Sequence, residues 1–368
     1  MMASEKYLVF PHALSSGLMN MLMEIELRVL LACLSNRTLV SVNKYPCFPQ
    51  PDDHLYGRYR AAAMLDLFDF PVKHISMTKM YKRGFKSLYS LPWQGECASE
   101  AVFRLSDDWP DDKKIVDDFY DGRKFTWQFP ENDDDVWALL GPRRTFCNST
   151  YFFLAHTKQK DKIKNIISLI QPKLPYLNLA KKIVKDLGFF NSIHVRLGDF
   201  KHWWVKTPTG IEIANNIASV MKNDTPLVIC TDNSHDRNYF APITKCYSDS
   251  IFIDEYIQNE YKKELKQLPF NDASVIALIS SLVASYGEVF TGSIYSTFTS
   301  AIHRRRLMRD SDLPILFSSN PFDDRVKMEN CEFKSTNSGS FSWNRLAFPN
   351  PETSRANAWL REWPETVS

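Results

Sequence analysis

A strand–turn–helix–strand pattern opens the chain and restarts after a proline break near its middle. This constrains the fold more than any other feature. Tyr7-Leu8-Val9-Phe10 is a short run of strand formers, followed by the small and polar turn Pro11-His12-Ala13-Leu14-Ser15-Ser16-Gly17. From Leu18 to Leu34 apolar residues recur at helical spacing, at Leu18, Leu22, Ile25, Val29 and Cys33. Asn36-Arg37 ends that helix, and Thr38 to Val42 reads as a second strand. Strand, crossover helix and strand form a βαβ unit, the building block of parallel sheets covered by helices.

A basic helix runs over Lys158 to Gln171, and Pro172 and Pro175 then break the chain. Beyond them the alternation restarts. Strands are expected within Phe189 to Val195, Pro226 to Thr231, Ser250 to Ile253 and Glu288 to Gly292. Helices are expected over Gly210 to Met221, over Ala273 to Tyr286 with Asn271-Asp272 as cap, and from Tyr295 to Arg306. The segment from about Tyr45 to Asn148, rich in Pro, Trp and Asp, reads as loop-rich. At about 150 residues per domain, 368 residues make two. We therefore expect an α/β fold with two Rossmann-like domains facing a cleft. The first covers 1–172 and the second 173–335, while a tail, 336–368, packs back on the first.

Charge narrows the partners. Forty-five Lys and Arg against 43 Asp and Glu leave a net charge of +2, which gives no support to nucleic-acid or membrane-surface binding. The seven cysteines are scattered and contain no C-x-x-C, so neither a disulfide framework nor a zinc cluster is expected. The longest uncharged stretch, Ala273 to Gly287, is shorter than the ~20 residues that span a bilayer, and no signal peptide is visible. The expected setting is the cytoplasm.

In open parallel sheets ligands lie at the carboxyl ends of strands, where helix N-termini also point. Four segments meet that rule. Ser15 to Asn20 joins a strand to a helix N-terminus, and Gly17 permits close backbone approach; the alternative is a plain helix cap. His194-Val195-Arg196-Leu197-Gly198-Asp199 puts a guanidinium at a strand end, where its planar fork suits a diphosphate. The alternatives are an Arg196–Asp199 surface pair and a core role for His194. Cys230-Thr231-Asp232-Asn233 is an acidic strand end or an Asx turn. Gly292 to Phe298 brings the hydroxyls of Ser296 and Thr297 to a helix N-terminus, as caps, phosphate donors or both. Asp133-Asp134-Asp135 has the D-x-D spacing of metal-binding nucleotide-sugar enzymes. It lacks a hydrophobic strand before it and reads as a solvated cluster at the start of a helix over Val136 to Leu140. Arg304-Arg305-Arg306 reads as a charge patch at a helix C-terminus. Glycine-rich ATP and NAD signatures are absent.

In order, these segments resemble the GDP-fucose fucosyltransferase superfamily, which includes protein O-fucosyltransferases, α1,6-fucosyltransferases and nodulation fucosyltransferases. The glycine–asparagine loop resembles Ser16-Gly17-Leu18-Met19-Asn20, and the H-[VIL]-R strand resembles His194-Val195-Arg196, with Asp199 beyond it. The A-T-D strand end resembles Cys230-Thr231-Asp232, and the late phosphate-binding segment resembles Val289 to Phe298. The resemblance implies a GT-B fold and an inverting, metal-independent transfer from GDP-fucose to a glycan or protein hydroxyl. It implies no cofactor beyond the donor itself. Donor-binding residues would be Gly17, Asn20, His194 (through its backbone, near the guanine), Arg196, Asp232, Ser296, Thr297 and Phe298. Arg196 would neutralise the β-phosphate. Asp199, His12 and Glu24 are candidate bases for the acceptor hydroxyl. Two departures stand out: Met21 replaces a glutamine, and Ser280 or Ser281 stands where an acidic residue reads guanine. Other readings are another nucleotide sugar, a catalytically silent nucleotide-sugar or glycan-binding protein, and a metal-dependent enzyme built on Asp133 and Asp135. Acceptor contacts are expected in the aromatic middle segment or near Trp203-Trp204, if these are not core residues.

Overall fold

The computed structural model describes residues 5–10, 18–41, 64–76, 103–104, 136–138, 165–198, 209–293 and 296–309. The chain divides between Lys173 and Leu174 into two compact units. The tail expectation lies outside the described residues.

The first unit begins with β1 (Tyr7–Phe10), α1 (Leu18–Leu34) and β2 (Thr38–Ser41). Leu18, Leu22, Ile25 and Val29 are buried, so the periodic face of α1 is the one it packs. A short α2 (Met64–Leu67) leads to β3 (Phe68–Asp69) and β4 (His74–Ser76). Next come β5 (Phe103–Arg104), β6 (Val136–Ala138) and β7 (Gln171–Pro172). The main sheet has the order β4-β2-β1-β6-β5, and every pair in it is parallel. β3 and β7 pair separately and antiparallel.

Two expectations change here. Val136 to Ala138 is a strand, not the start of a helix. A five-residue apolar run does not separate the two periods, and pairing with β1 on one side and β5 on the other satisfies its backbone. The helix expected to reach Gln171 has ended by Leu169, because Gln171 and Pro172 pair with Asp69 and Phe68.

In the second unit, α3 (Leu174–Leu187) buries Tyr176, Leu179, Ala180 and Ile183 along one stripe. It ends at Gly188, whose φ of +70° closes the last turn at low steric cost. Then follow β8 (Asn191–Val195), α4 (Gly210–Ala218), β9 (Leu227–Thr231) and α5 (Arg237–Cys246). After these come β10 (Ser250–Phe252), α6 (Ile253–Glu260) and α7 (Lys262–Gln267). The unit closes with α8 (Ala273–Ala284), β11 (Phe290–Gly292) and α9 (Thr297–Arg309). Thr209 and Glu212 form a reciprocal capping box on α4, and Asp272 caps α8 by accepting from the Val275 amide.

The sheet order is β10-β9-β8-β11, all parallel. Alternation along the strands divides its two faces. Ile193, Val195, Leu227 and Ile229 pack with Ile213, Ile217, Phe240 and Ile243 of α4 and α5. Ser192, His194 and Cys230 meet α8 and α9. A doubly covered parallel sheet of this kind is α/β architecture.

Arg306 departs from the expected charge patch at a helix C-terminus. It is fully buried on α9, and its guanidinium donates to the carbonyls of Ser285, Gly287 and Glu288 in the turn between α8 and β11. Arg305 reaches the Ser281 hydroxyl at 2.8 Å. The fork holds that turn against the helix. Arg306→Ala should lower the unfolding free energy by about 3 kcal/mol, since hydrogen bonds from a charged donor contribute ~1.5–3 kcal/mol each. Arg306→Lys, which keeps the charge without the fork, should recover only part of the loss in urea unfolding.

Candidate active site

Counted along the chain, the strands of the second unit lie in the order third, second, first, fourth. The winding direction therefore reverses between β8 and β11. In open parallel sheets the crevice outside the strand ends at such a reversal is where ligands bind. The residues that follow β8 and β11 are Arg196 and Ser293, and both belong to segments singled out in the sequence.

The edge is held by a small set of hydrogen bonds. The Arg196 amide donates to the Ser293 hydroxyl at 2.8 Å, and the Ser293 amide donates to the His194 carbonyl at 2.9 Å. These bonds link the two strand ends across the reversal. Asp232, just past β9, accepts from the Leu197 amide at 2.8 Å and the Gly198 amide at 3.0 Å. Its second oxygen also lies 3.2 Å from Arg196 Nε. Gly198 is needed at that spot because a Cβ there would come within 2.5 Å of the Asp232 carboxylate. Among the described residues, Arg196 thus forms an ion pair with Asp232. The guanidinium stays about one-third exposed, with its side chain at the edge rather than in the core.

His194 has a different environment from Arg196, although the two alternate. Its ring is buried under α9, with Nδ1 2.7 Å from Thr299 Oγ1 and its centroid 4.7 Å from that of Phe298. Burial, aided by the nearby positive charge of Arg196, pushes its pKa down to about 3. The ring is therefore neutral at physiological pH and pins the start of α9 over β8. Ser296 is buried immediately before α9, Thr297 opens the helix half-buried, and both lie beside the β11 end. Amides and hydroxyls at a helix start, with a guanidinium nearby, form a diphosphate-accepting arrangement.

Of the residues expected from sequence, the fold brings His194, Arg196, Asp232, Ser296, Thr297 and Phe298 to one edge of one sheet. Asn20 falls in the first turn of α1, in the first unit. His12, Gly17, Asp199, Asp133 and Asp135, and the side chains of Asn20 and Glu24, lie outside the described residues. Ser293 and Thr299 add to the set. The signal for Ser293 was its place directly after the expected strand, and for Thr299 its spacing three residues beyond Ser296. Among the described residues no cluster of three or more His, Cys, Asp or Glu could hold a metal, and no helix is long and apolar enough to cross a membrane.

Neither a family model nor a curated protein sequence matches the chain. Solved structures do. Among them are several fucosyltransferases. NodZ from Bradyrhizobium is 12% identical, with a TM-score of 0.48 over 86% of this chain and 97% of that one. POFUT1 in complex with GDP is 14% identical, with a TM-score of 0.45 over 86% of this chain and 99% of that one. Arabidopsis thaliana FUT1, also with GDP, is 14% identical, with a TM-score of 0.44 over 92% of this chain and 74% of that one.

The His194 environment has a measurable consequence. The unfolded chain protonates this histidine near 6.5, whereas the folded protein holds it neutral down to about 3. The unfolded state therefore binds the extra proton below pH 6.5. The stabilisation is complete above that pH and is lost as pH falls toward about 3. Compared with His194→Gln, the wild type should lose an additional ~1.4 kcal/mol of unfolding free energy per pH unit well inside that window. Urea titrations at pH 7, 6 and 5 would measure it, and parallel curves would contradict it.

Proposed function

We propose that the protein is a fucosyltransferase that transfers fucose from GDP-fucose to a hydroxyl of a glycan or protein acceptor. On this reading it works with inversion and without a metal. GDP is the nucleotide in the POFUT1 and FUT1 structures described above, and we carry it to this chain as part of the proposal. The observation that carries the reading is Arg196, fixed at the carboxyl end of β8 where the sheet reverses, with Ser293, Ser296 and Thr297 across from it.

The chemistry explains why such an edge is useful. Breaking the sugar–phosphate bond gathers negative charge on the diphosphate while positive charge develops at the anomeric carbon. A guanidinium already aimed by Asp232, together with helix-start amides and hydroxyls, meets that anion without reorganising. The charge a divalent cation would supply is then provided by the chain. Asp232 acts as a positioning residue, and His194 supports the helix start from beneath. From the resemblance we assign donor binding to Asn20 as well, and Asp199 or His12 as the general base that takes the proton of the acceptor hydroxyl. The free thiols of Cys33, Cys230 and Cys246 fit a reducing, cytoplasmic setting.

Arg196→Ala should lower kcat/KM for GDP-fucose by about 10²–10³-fold, the size of effect seen when a donor to a developing anion is removed. The fold should persist, because the group is partly exposed and such ion pairs add little stability. Near-normal turnover in a folded Arg196→Ala variant would sink the mechanism. Excess chelator should leave transfer unchanged, whereas loss of activity would move the chemistry to a metal site at Asp133 and Asp135.

A further inference from the structure

The near-neutral net charge of the chain conceals a one-sided distribution on the second unit. α3 buries Tyr176, Leu179, Ala180 and Ile183, so helical periodicity runs its outward line through Leu174, Lys181 and Lys185. Lys182 and Asp186 point sideways. Lys182 pairs with Glu264 of α7, and Tyr261, just before α7, donates to Asp186 at 2.7 Å. These contacts lay α7 alongside α3. α7 adds Lys262, Lys263 and Lys266, all exposed. The joint face carries six lysines against three carboxylates, Asp186, Glu260 and Glu264, two of which are already engaged. Among the described residues no ion pair holds the five lysines other than Lys182. Apolar side chains stand at both ends of α3: Leu174 is 68% exposed, and Phe189, just past Gly188, is 65% exposed. A 14-residue helix sets them about 20 Å apart.

We propose that the α3–α7 face docks the protein on an anionic phospholipid bilayer. The chemistry of the face selects this occupant. A second copy of the same face would set lysine against lysine, and like charges repel. Duplex nucleic acid would engage the lysines through its phosphates but leave Leu174 and Phe189 without a match. A bilayer surface uses both: anionic headgroups attract the lysines, and the interfacial layer takes the two apolar side chains. Lysine suits such a layer, because a compact charge on a flexible stem needs no fixed geometry from its partner. The apolar side of α3 stays in the protein core, so the contact is peripheral.

Co-sedimentation of the full chain with phosphatidylcholine–phosphatidylserine vesicles, and with phosphatidylcholine alone, tests this without relying on turnover. Binding should require phosphatidylserine and should fade between ~0.1 M and ~1 M salt, where the screening length falls from ~10 Å to ~3 Å. Lys181→Ala, Lys185→Ala and Lys263→Ala together should weaken it about 100-fold, as three lysines near an anionic surface imply. All three are exposed, so the variant should unfold in urea as the wild type does. Phe189→Ala should weaken vesicle binding without changing its salt dependence. If the wild type ignores anionic vesicles, or binds neutral ones equally well, the proposal fails without any variant being needed. It fails too if the folded triple variant binds like the wild type, or if duplex DNA or RNA binds these lysines more tightly than the vesicles do.

Discussion

The carboxylate of Asp232 sets the geometry at the edge of the second sheet. Beyond Val195 the β8 ladder ends, so the amides of Leu197 and Gly198 lose their strand partners. Asp232 receives both and also faces Arg196 Nε. One ionised side chain, carried by the neighbouring strand, thus orders the loop and aims the guanidinium. Bonds to a charged acceptor are stronger than neutral ones, which lets a partly exposed loop hold one geometry.

The sheet supplies the rest of the frame. Because β8 lies between β9 and β11, its two faces are covered by different helices. The aliphatic face meets α4 and α5 and carries the core. The other face is more polar: Ser192 donates to the Ala284 carbonyl, and His194 bonds Thr299. Hydroxyls and a neutral imidazole on that face tie α8 and α9 to the strand, and so fix where the α9 start lies relative to Arg196. Arg306 anchors α9 further along by binding the carbonyls of the α8–β11 turn.

Much of this was legible one element at a time. The five apolar positions at helical spacing between Leu18 and Leu34 marked α1, and the Val- and Ile-rich runs marked β8 and β9, because both patterns are local. The failures were local ambiguities resolved at long range. Val136 to Ala138 became a strand because β1 and β5 flank it. α5 went unread, since Pro242 inside it looks like a breaker, yet the helix buries Phe240 and Ile243 against the sheet. Three adjacent arginines read as one charge patch at a helix C-terminus, although one of them ends in the core.

The sequence alone determined which segments alternate as strand and helix, and which chemical groups stand directly after each strand: Arg196, Asp232, and Ser293 before Ser296. Their spacing along the chain is a matter of backbone periodicity, which needs no partner. Only the tertiary structure decided that Arg196 pairs with Asp232, that the His194 ring faces Thr299, and that Asp254 meets Ser280. Those pairings join residues 26 to 105 positions apart. They arise from the order in which the strands add to the sheet, and no local pattern encodes that order.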